Sequence, residues 1–218
     1  MELSLPEEIF LLAIHEDKGR VIASVRNNLG YGLSGAVLAE LVFLGKLRVA
    51  ESHRLELVDS ASTGDEILDE VIEEFRSEDR LRKTTYWVQQ IYNRTKKLQK
   101  RLAKRLVSKG IVVQDDDTRY LWVIPYDDSP EPFASAKFWI KRRQRTWVLT
   151  CGDPDLHDLA LVSLVQGAGM LNIIFLRDEL KLAKRRIYEV MIEKGFSNTT
   201  THTIEEISLA LEAFVSTD

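Results

Sequence analysis

The sequence predicts a mainly α-helical protein: one domain over residues 1–218, built around a buried central helix bundle with short β-hairpins at its periphery. Three observations carry this expectation. Apolar residues recur at helical spacing through most of the chain, as at Ile67, Leu68, Val71, Ile72 and Phe75. Two of these runs stop at a glycine and continue as short extended stretches, the pattern of a helix that turns into a hairpin. A hydrophobic content of 44% in 218 residues is enough to bury a substantial core.

Taken in order, Pro6, Glu7 and Glu8 open a helix whose apolar run, residues 9–14, leads through a polar turn into a short strand at 21–25. The run 33–44 carries Leu33, Val37, Leu38, Leu41, Val42 and Leu44, dense enough for burial on most sides. Gly45 stops it, and residues 46–49 with 54–58 read as a hairpin. Thr63 with Glu66 forms a capping-box pattern ahead of the next helix, the hydroxyl meeting a free amide and the carboxylate reaching back. Residues 84–108 read as one long helix, with Trp87, Ile91, Leu98, Leu102 and Leu106 on one stripe and basic residues over the rest. Gly110 ends it. Residues 111–113 and 119–124 form a second hairpin, and a loop follows at 125–133. The C-terminal half reads as helices at 138–149, 156–176, 179–193 and 204–215, the last behind a second capping box, Thr203 with Glu206. The stretches 41–47 and 106–112 echo each other, helix through glycine into hairpin, a unit that winged-helix modules also use. We read the echo as a shared packing solution.

Several function classes find no support. The acidic opening lacks the basic start and small-residue cleavage site of a secretory signal. The most apolar stretch, 159–176, is interrupted by Gln166, Gly167, Gly169 and Asn172 and suits a buried helix better than a membrane span. The single cysteine, Cys151, allows no internal disulfide. His15, His53, His157 and His202 are scattered, with no spacing for a metal or a catalytic group; Asp155 beside His157 reads as a helix start. Gly30, Gly32 and Gly35 match neither a dinucleotide fingerprint nor a P-loop. No cofactor and no enzymatic activity are expected.

Charge is the informative feature. Between Asp79 and Asp115 there is no acid, whereas Arg80, Arg82, Lys83, Arg94, Lys96, Lys97, Lys100, Arg101, Lys104, Arg105 and Lys109 all lie there, in a chain of net charge -4. Such segregation favours a polyanionic partner. A phospholipid head group, a nucleic acid and the chain's own acidic stretch 51–79 all satisfy it. A second acid-free cluster, Lys137, Lys141, Arg142, Arg143 and Arg145, is interleaved with Phe138, Trp139 and Trp147; a third, Lys181, Lys184, Arg185 and Arg186, shares its helix with acids and reads as a solvated face. Trp122, Ile124, Tyr126 and Phe133, in the second hairpin and its loop, are suited either to a packed hairpin, in which alternate strand residues face the core, or to contact with a membrane interface.

The chain resembles the Golgi phosphoprotein 3 family of peripheral phosphoinositide-binding proteins. The resemblance rests on 5-LPEEIFLL-12, on Gly32-Leu33-Ser34-Gly35 followed by Leu38-Ala39-Glu40-Leu41 and Gly45-Lys46-Leu47, on Thr63-Gly64-Asp65 with Leu68-Asp69-Glu70, and on Arg101-Leu102-Ala103-Lys104 with Leu106-Val107 and Lys109-Gly110. It implies a helical domain with a hairpin whose tip enters the bilayer and a pocket for phosphatidylinositol 4-phosphate. The pocket's family positions fall on Val25, Ser34, Lys96 and Gln99, of which Lys96 alone is charged; Arg26, Lys97, Lys100 and Arg101 lie close enough in sequence to complete a rearranged anion site. The sequence lacks the Pro-rich basic arm that precedes the domain in eukaryotic members, and in this it resembles the bacterial ones.

The leading expectation is therefore a cytoplasmic, peripherally membrane-associated protein that binds anionic lipid through Arg26, Ser34, Lys96, Lys97, Gln99, Lys100 and Arg101. The alternative is a nucleic-acid-binding protein using winged-helix-like units. A scaffold for acidic cytosolic tails of membrane proteins is a third reading.

Overall fold

The computed structural model describes residues 3–16, 19–114, 121–123, 135–195 and 199–216. Among them are nine α-helices and five short strands, so the architecture is mainly α with small β elements, as expected. Helix α1 (Leu5–Ala13) starts where the sequence places it, with a carboxylate oxygen of Glu7 accepting the Ser4 N–H at 2.9 Å. Every residue of α1 is buried, Glu7 and Glu8 included. The strand expected at 21–25 is reduced to one bridge between Ile14 and Val21, because the chain turns at once into a 3-10 helix at Ala23–Val25.

Helix α2 (Leu29–Phe43) is the buried core element, and its glycines show how tightly it is held. A Cβ on Gly35 would lie 2.7 Å from Leu211 Cδ1 and 3.2 Å from Leu164 Cδ2, so a side chain there would have to displace two fully buried leucines. Helix α2 ends at Gly45 (φ +68°), where the Lys46 N–H donates to Leu41 O at 2.8 Å and the Gly45 N–H to Val42 O at 3.0 Å. Strands β1 (Leu47–Ala50) and β2 (Arg54–Leu57) follow as the expected hairpin, Leu47 opposite Leu57. A third strand that sequence periodicity could not show, β3 (Arg82–Lys83), adds to β2 in the order β1-β2-β3.

Helix α3 (Glu66–Ser77) buries the predicted stripe, but its cap is Asp65 and not Thr63. The Asp65 side chain accepts the Ile67 N–H at 2.7 Å, while the Thr63 N–H and hydroxyl both donate to Asp69 Oδ1 at 2.7 Å. The helix expected at 84–108 is two, α4 (Thr84–Tyr92) and α5 (Thr95–Ser108). At the break the Arg94 N–H donates to Ile91 O at 3.0 Å, tightening the last turn of α4. Helix α5 ends like α2: Gly110 has φ +67° and the Ile111 N–H donates to Leu106 O at 2.9 Å. Strands β4 (Val112–Gln114) and β5 (Leu121–Val123) then pair antiparallel, so the echo seen in sequence is a repeated fold unit.

Helix α6 (Ala136–Leu149) is capped by Ser135, and α7 (Leu156–Gly167) by Asp155, whose carboxylate accepts the Asp158 N–H at 2.7 Å. Helix α7 stops well before residue 176, because Gly169 adopts φ +65° and a 3-10 turn at Leu171–Ile173 follows. After α8 (Leu180–Gly195), α9 (Thr199–Val215) begins four residues before Thr203. Thr203 and Glu206 are therefore no capping box: Thr203 Oγ1 accepts the Val49 N–H at 3.1 Å, and Glu206 Oε2 meets His53 Nδ1 at 2.7 Å, tying α9 to the first hairpin. One apolar cluster, in which Leu33, Leu102, Leu164 and Leu211 are fully buried, runs through the helices.

Candidate functional site

Helix α5 presents three faces of different character. Leu98, Leu102 and Leu106 point into the core. Arg94, Lys97, Arg101 and Arg105, spaced to share a second face, lie along α3 and meet its acids in antiparallel order. Arg94 pairs with Glu74; Lys97 reaches Glu70 at 3.5 Å; Arg101 reaches Glu70 at 2.8 Å and Glu66 at 3.1 Å; Arg105 grips both oxygens of Asp65, at 2.6 and 2.5 Å. Burial works against the Asp65 carboxylate, but Arg105 and the Ile67 amide hold its pKa below the ordinary value. The chain's own acidic stretch thus neutralises much of the basic helix.

The third face is different. Lys96, Lys100 and Lys104 are spaced four residues apart, are exposed, and pair with no carboxylate among the described residues. They form a lysine stripe about 12 Å long at the 1.5 Å rise of a helix. The first turn of α5 has no acid of its own and its N-cap, Arg94, supplies no capping side chain. The start of α2 packs against this end: a Cβ on Gly30 would come within 2.6 Å of the Tyr92 ring and 3.2 Å of Thr95 Oγ1. Arg26, four residues before Gly30, is exposed at the end of the 3-10 turn.

The residues expected to bind lipid therefore divide. Arg26, Lys96 and Lys100 are open to solvent, and Gln99 is half-buried. Lys97 and Arg101 belong to the α3 ladder. Ser34 must be withdrawn from the surface, since it is fully buried and its hydroxyl donates to Gly30 O at 2.8 Å inside α2; Val25 is buried too. Trp122 lies in β5 opposite Val113, whereas Ile124, Tyr126 and Phe133 lie outside the described residues. Lys104, which the expectation did not include, is exposed at the same four-residue spacing as Lys96 and Lys100.

A second ionic network sits beneath α1. Glu8 accepts from Arg143 at 3.1 Å and lies 3.1 Å from His157 Nε2, and Arg143 also pairs with Asp158, which accepts from Gln144 at 2.6 Å. The bond to Glu8 raises the His157 pKa against the effect of burial, whereas burial raises that of Asp158. Burial likewise raises Glu40, which accepts the Leu5 N–H at 2.9 Å. Of these groups, Glu40 and His157 border a polar cleft of about 470 Å³ with Glu7, Asp65, Arg105 and Lys109 on its walls. Lys109 pairs with Glu7, and Arg143 and His157 pair with Glu8, which ties α1 to α5, α6 and α7. Among the described residues no group of three His, Cys, Asp or Glu side chains is placed to hold a metal ion. No described helix is long and apolar enough to cross a membrane.

The described residues thus form a mainly α-helical domain with two helix-glycine-hairpin units and a surface lysine stripe. The Golgi phosphoprotein 3 (GPP34) family model matches residues 5–207, and the chain belongs to that family. Vacuolar protein sorting-associated protein 74 of Schizosaccharomyces pombe is 31% identical over 161 residues, covering 65% of this chain and 47% of that protein. The protein of the same name from Eremothecium gossypii is 30% identical over 160 residues, with the same coverage. The chain spans about half the length of the curated relatives it matches. Both are fungal, and nothing in these likenesses supports the bacterial-type reading.

Proposed function

We propose that this chain is a peripheral membrane protein that docks on anionic phospholipid head groups through the lysine stripe of α5. The observation that carries the reading is the selective opening of that stripe: the neighbouring cations are taken up by α3, while Lys96, Lys100 and Lys104 are left to an external anion. A basic side chain near an anionic surface contributes about 1 kcal/mol, so three give roughly 3 kcal/mol, enough for reversible attachment. Lysine ammonium groups act as point charges and suit loosely ordered head groups better than a fixed bidentate clamp. The family resemblance supports a phosphoinositide-like ligand, with Lys96 at the start of α5 and Arg26 exposed four residues before Gly30. With Val25 and Ser34 buried, charge density selects the lipid in this proposal, and the position of a phosphate on the ring does not. Docking from the cytoplasmic side needs no catalysis and no cofactor.

Co-flotation with phosphatidylcholine vesicles, with and without phosphatidylglycerol or phosphatidylinositol 4-phosphate, tests this reading. Binding should require anionic lipid and weaken about a hundredfold in Lys96→Gln/Lys100→Gln/Lys104→Gln, with unchanged thermal stability. Retention of duplex DNA of equal charge, with no vesicle binding, would favour the winged-helix alternative and overturn the proposal. Binding to an acidic peptide alone would do the same.

A further inference from the structure

A second surface, on α8, carries the chemistry of a bilayer contact. Ala183, Ile187, Val190 and Met191 face the core, and on the opposite side Lys181, Lys184, Arg185 and Tyr188 follow at i, i+3, i+4 and i+7, all exposed. Leu182 flanks this stripe at 43% exposure, Tyr188 is 60% exposed, and Leu176, in the turn before the helix, is 62% exposed. Exposed aliphatic side chains and a tyrosine next to cations suit contact with a bilayer interface, where a tyrosine ring sits at head-group level and cations meet lipid phosphates.

The local acids do not cancel this field. Glu179 is held by Arg145 of α6 through two bonds of 2.6 and 2.7 Å, and its Oε2 also accepts the Leu176 N–H at 2.8 Å. That arrangement removes a negative charge from the patch and fixes the Leu176 turn to α6. Glu189 lies 3.4 Å from Arg185. Four cations, Arg177, Lys181, Lys184 and Arg185, stand against Asp178 and Glu189, a local balance of +2, and Arg177, Lys181 and Lys184 pair with no carboxylate among the described residues. Across the Arg145 link, α6 adds Arg142 stacked over Trp139, with 5.0 Å from guanidinium carbon to ring centroid.

We infer that the exposed face of α8, comprising Leu176, Lys181, Leu182, Lys184, Arg185 and Tyr188, is a second docking surface whose partner is an anionic lipid bilayer. Charge complementarity sets the sign of the partner. The apolar members choose a bilayer over nucleic acid, since Leu176 and Leu182 would meet only water beside a phosphate backbone. This deepens the peripheral-membrane reading and rests on it for the partner's class, but its residues are independent of the α5 stripe.

The test uses the full chain with phosphatidylcholine vesicles with and without phosphatidylglycerol. Lys181→Gln/Lys184→Gln/Arg185→Gln should weaken partition by roughly a hundredfold, about fivefold per cation. Leu176→Ser/Leu182→Ser should weaken it further at equal charge. Separately, Tyr188→Trp should show a blue-shifted emission on vesicles and quenching by brominated lipid; melting curves would show that each variant folds. Unchanged partition in both α8 variants together with an unshifted emission spectrum of Tyr188→Trp, while the α5 variant loses binding, would overturn this inference and leave the α5 reading standing. Loss in the α8 variants alone would support it and remove α5 from the contact. Absence of vesicle binding by the parent chain would overturn both.

Discussion

Single carboxylates hold much of the local structure, and their titration gives that contribution a sign. Asp69 accepts from the Ser62 hydroxyl at 2.6 Å and from the Thr63 amide and hydroxyl, each at 2.7 Å, and these bonds lower its pKa to about 2. A carboxylate whose folded value is depressed stabilises the fold above its unfolded value, and that contribution disappears as pH falls through about 2. Asp69→Asn should therefore melt below the parent at neutral pH, with the gap closing between about pH 4 and pH 2. Thermal melts across that window check this, and a gap that persists at the acid end would show that the charge is not the agent. His157 has the opposite sign. Its bond to Glu8 raises the imidazole pKa, so its contribution is full below about pH 6.5 and is lost as pH rises through the folded value. His157→Gln should flatten the fall in melting temperature between about pH 6.5 and the folded value, and an unchanged slope there would remove His157 as its source.

Glycines and caps explain both what was legible at the level of elements and what was not. Gly45 and Gly110 could be read as helix stops because αL termination favours glycine, and both have φ near +68° with nothing within 4 Å of the point where a Cβ would sit. Gly167 could not be read that way. It lies inside α7, and a Cβ there would fall 2.5 Å from the Ser208 carbonyl oxygen of α9, so its requirement comes from a partner some forty residues away. Gly110→Ala should cost only the left-handed penalty, about 1 kcal/mol, whereas Gly167→Ala should cost about 3 kcal/mol by forcing two backbones apart. Denaturant titration would separate them, and equal losses would mean that α7 and α9 are not packed this closely. The same division accounts for the other differences. Periodicity located the helices, but the apolar stripe runs unbroken through Ile91 and Leu98 and so hid the break between α4 and α5. A two-residue strand such as β3 has no period to detect. Thr63 and Asp65 are both good caps in isolation, and only the position of Asp69 decides between them.

At the scale of the whole molecule, the basic segment was visible in sequence but its fate was not, because neutralisation depends on α3 packing antiparallel along α5. Glu66 and Glu70 are 27 to 35 residues from the cations they meet, and no local rule pairs them. That packing makes the α3 acids a limit on the proposed docking face: they take up Lys97 and Arg101, which would otherwise face an external anion. Removing them should widen the lysine stripe. In Glu66→Gln/Glu70→Gln the net charge rises from -4 to -2, and two more cations become available beside Lys96 and Lys100. Exposed pairs of this kind contribute about 0–1 kcal/mol each, so the variant should fold with little loss. Its partition onto phosphatidylglycerol vesicles should rise by roughly ten- to thirtyfold at low salt. The gain should shrink as salt is raised, since the screening length falls from about 10 Å at 0.1 M to about 3 Å at 1 M. Sedimentation of the two proteins with vesicles over a salt series measures both effects. Equal partition at low salt would mean that the face shared by α3 and α5 never meets the bilayer, and attachment would then have to run through other surfaces of the chain.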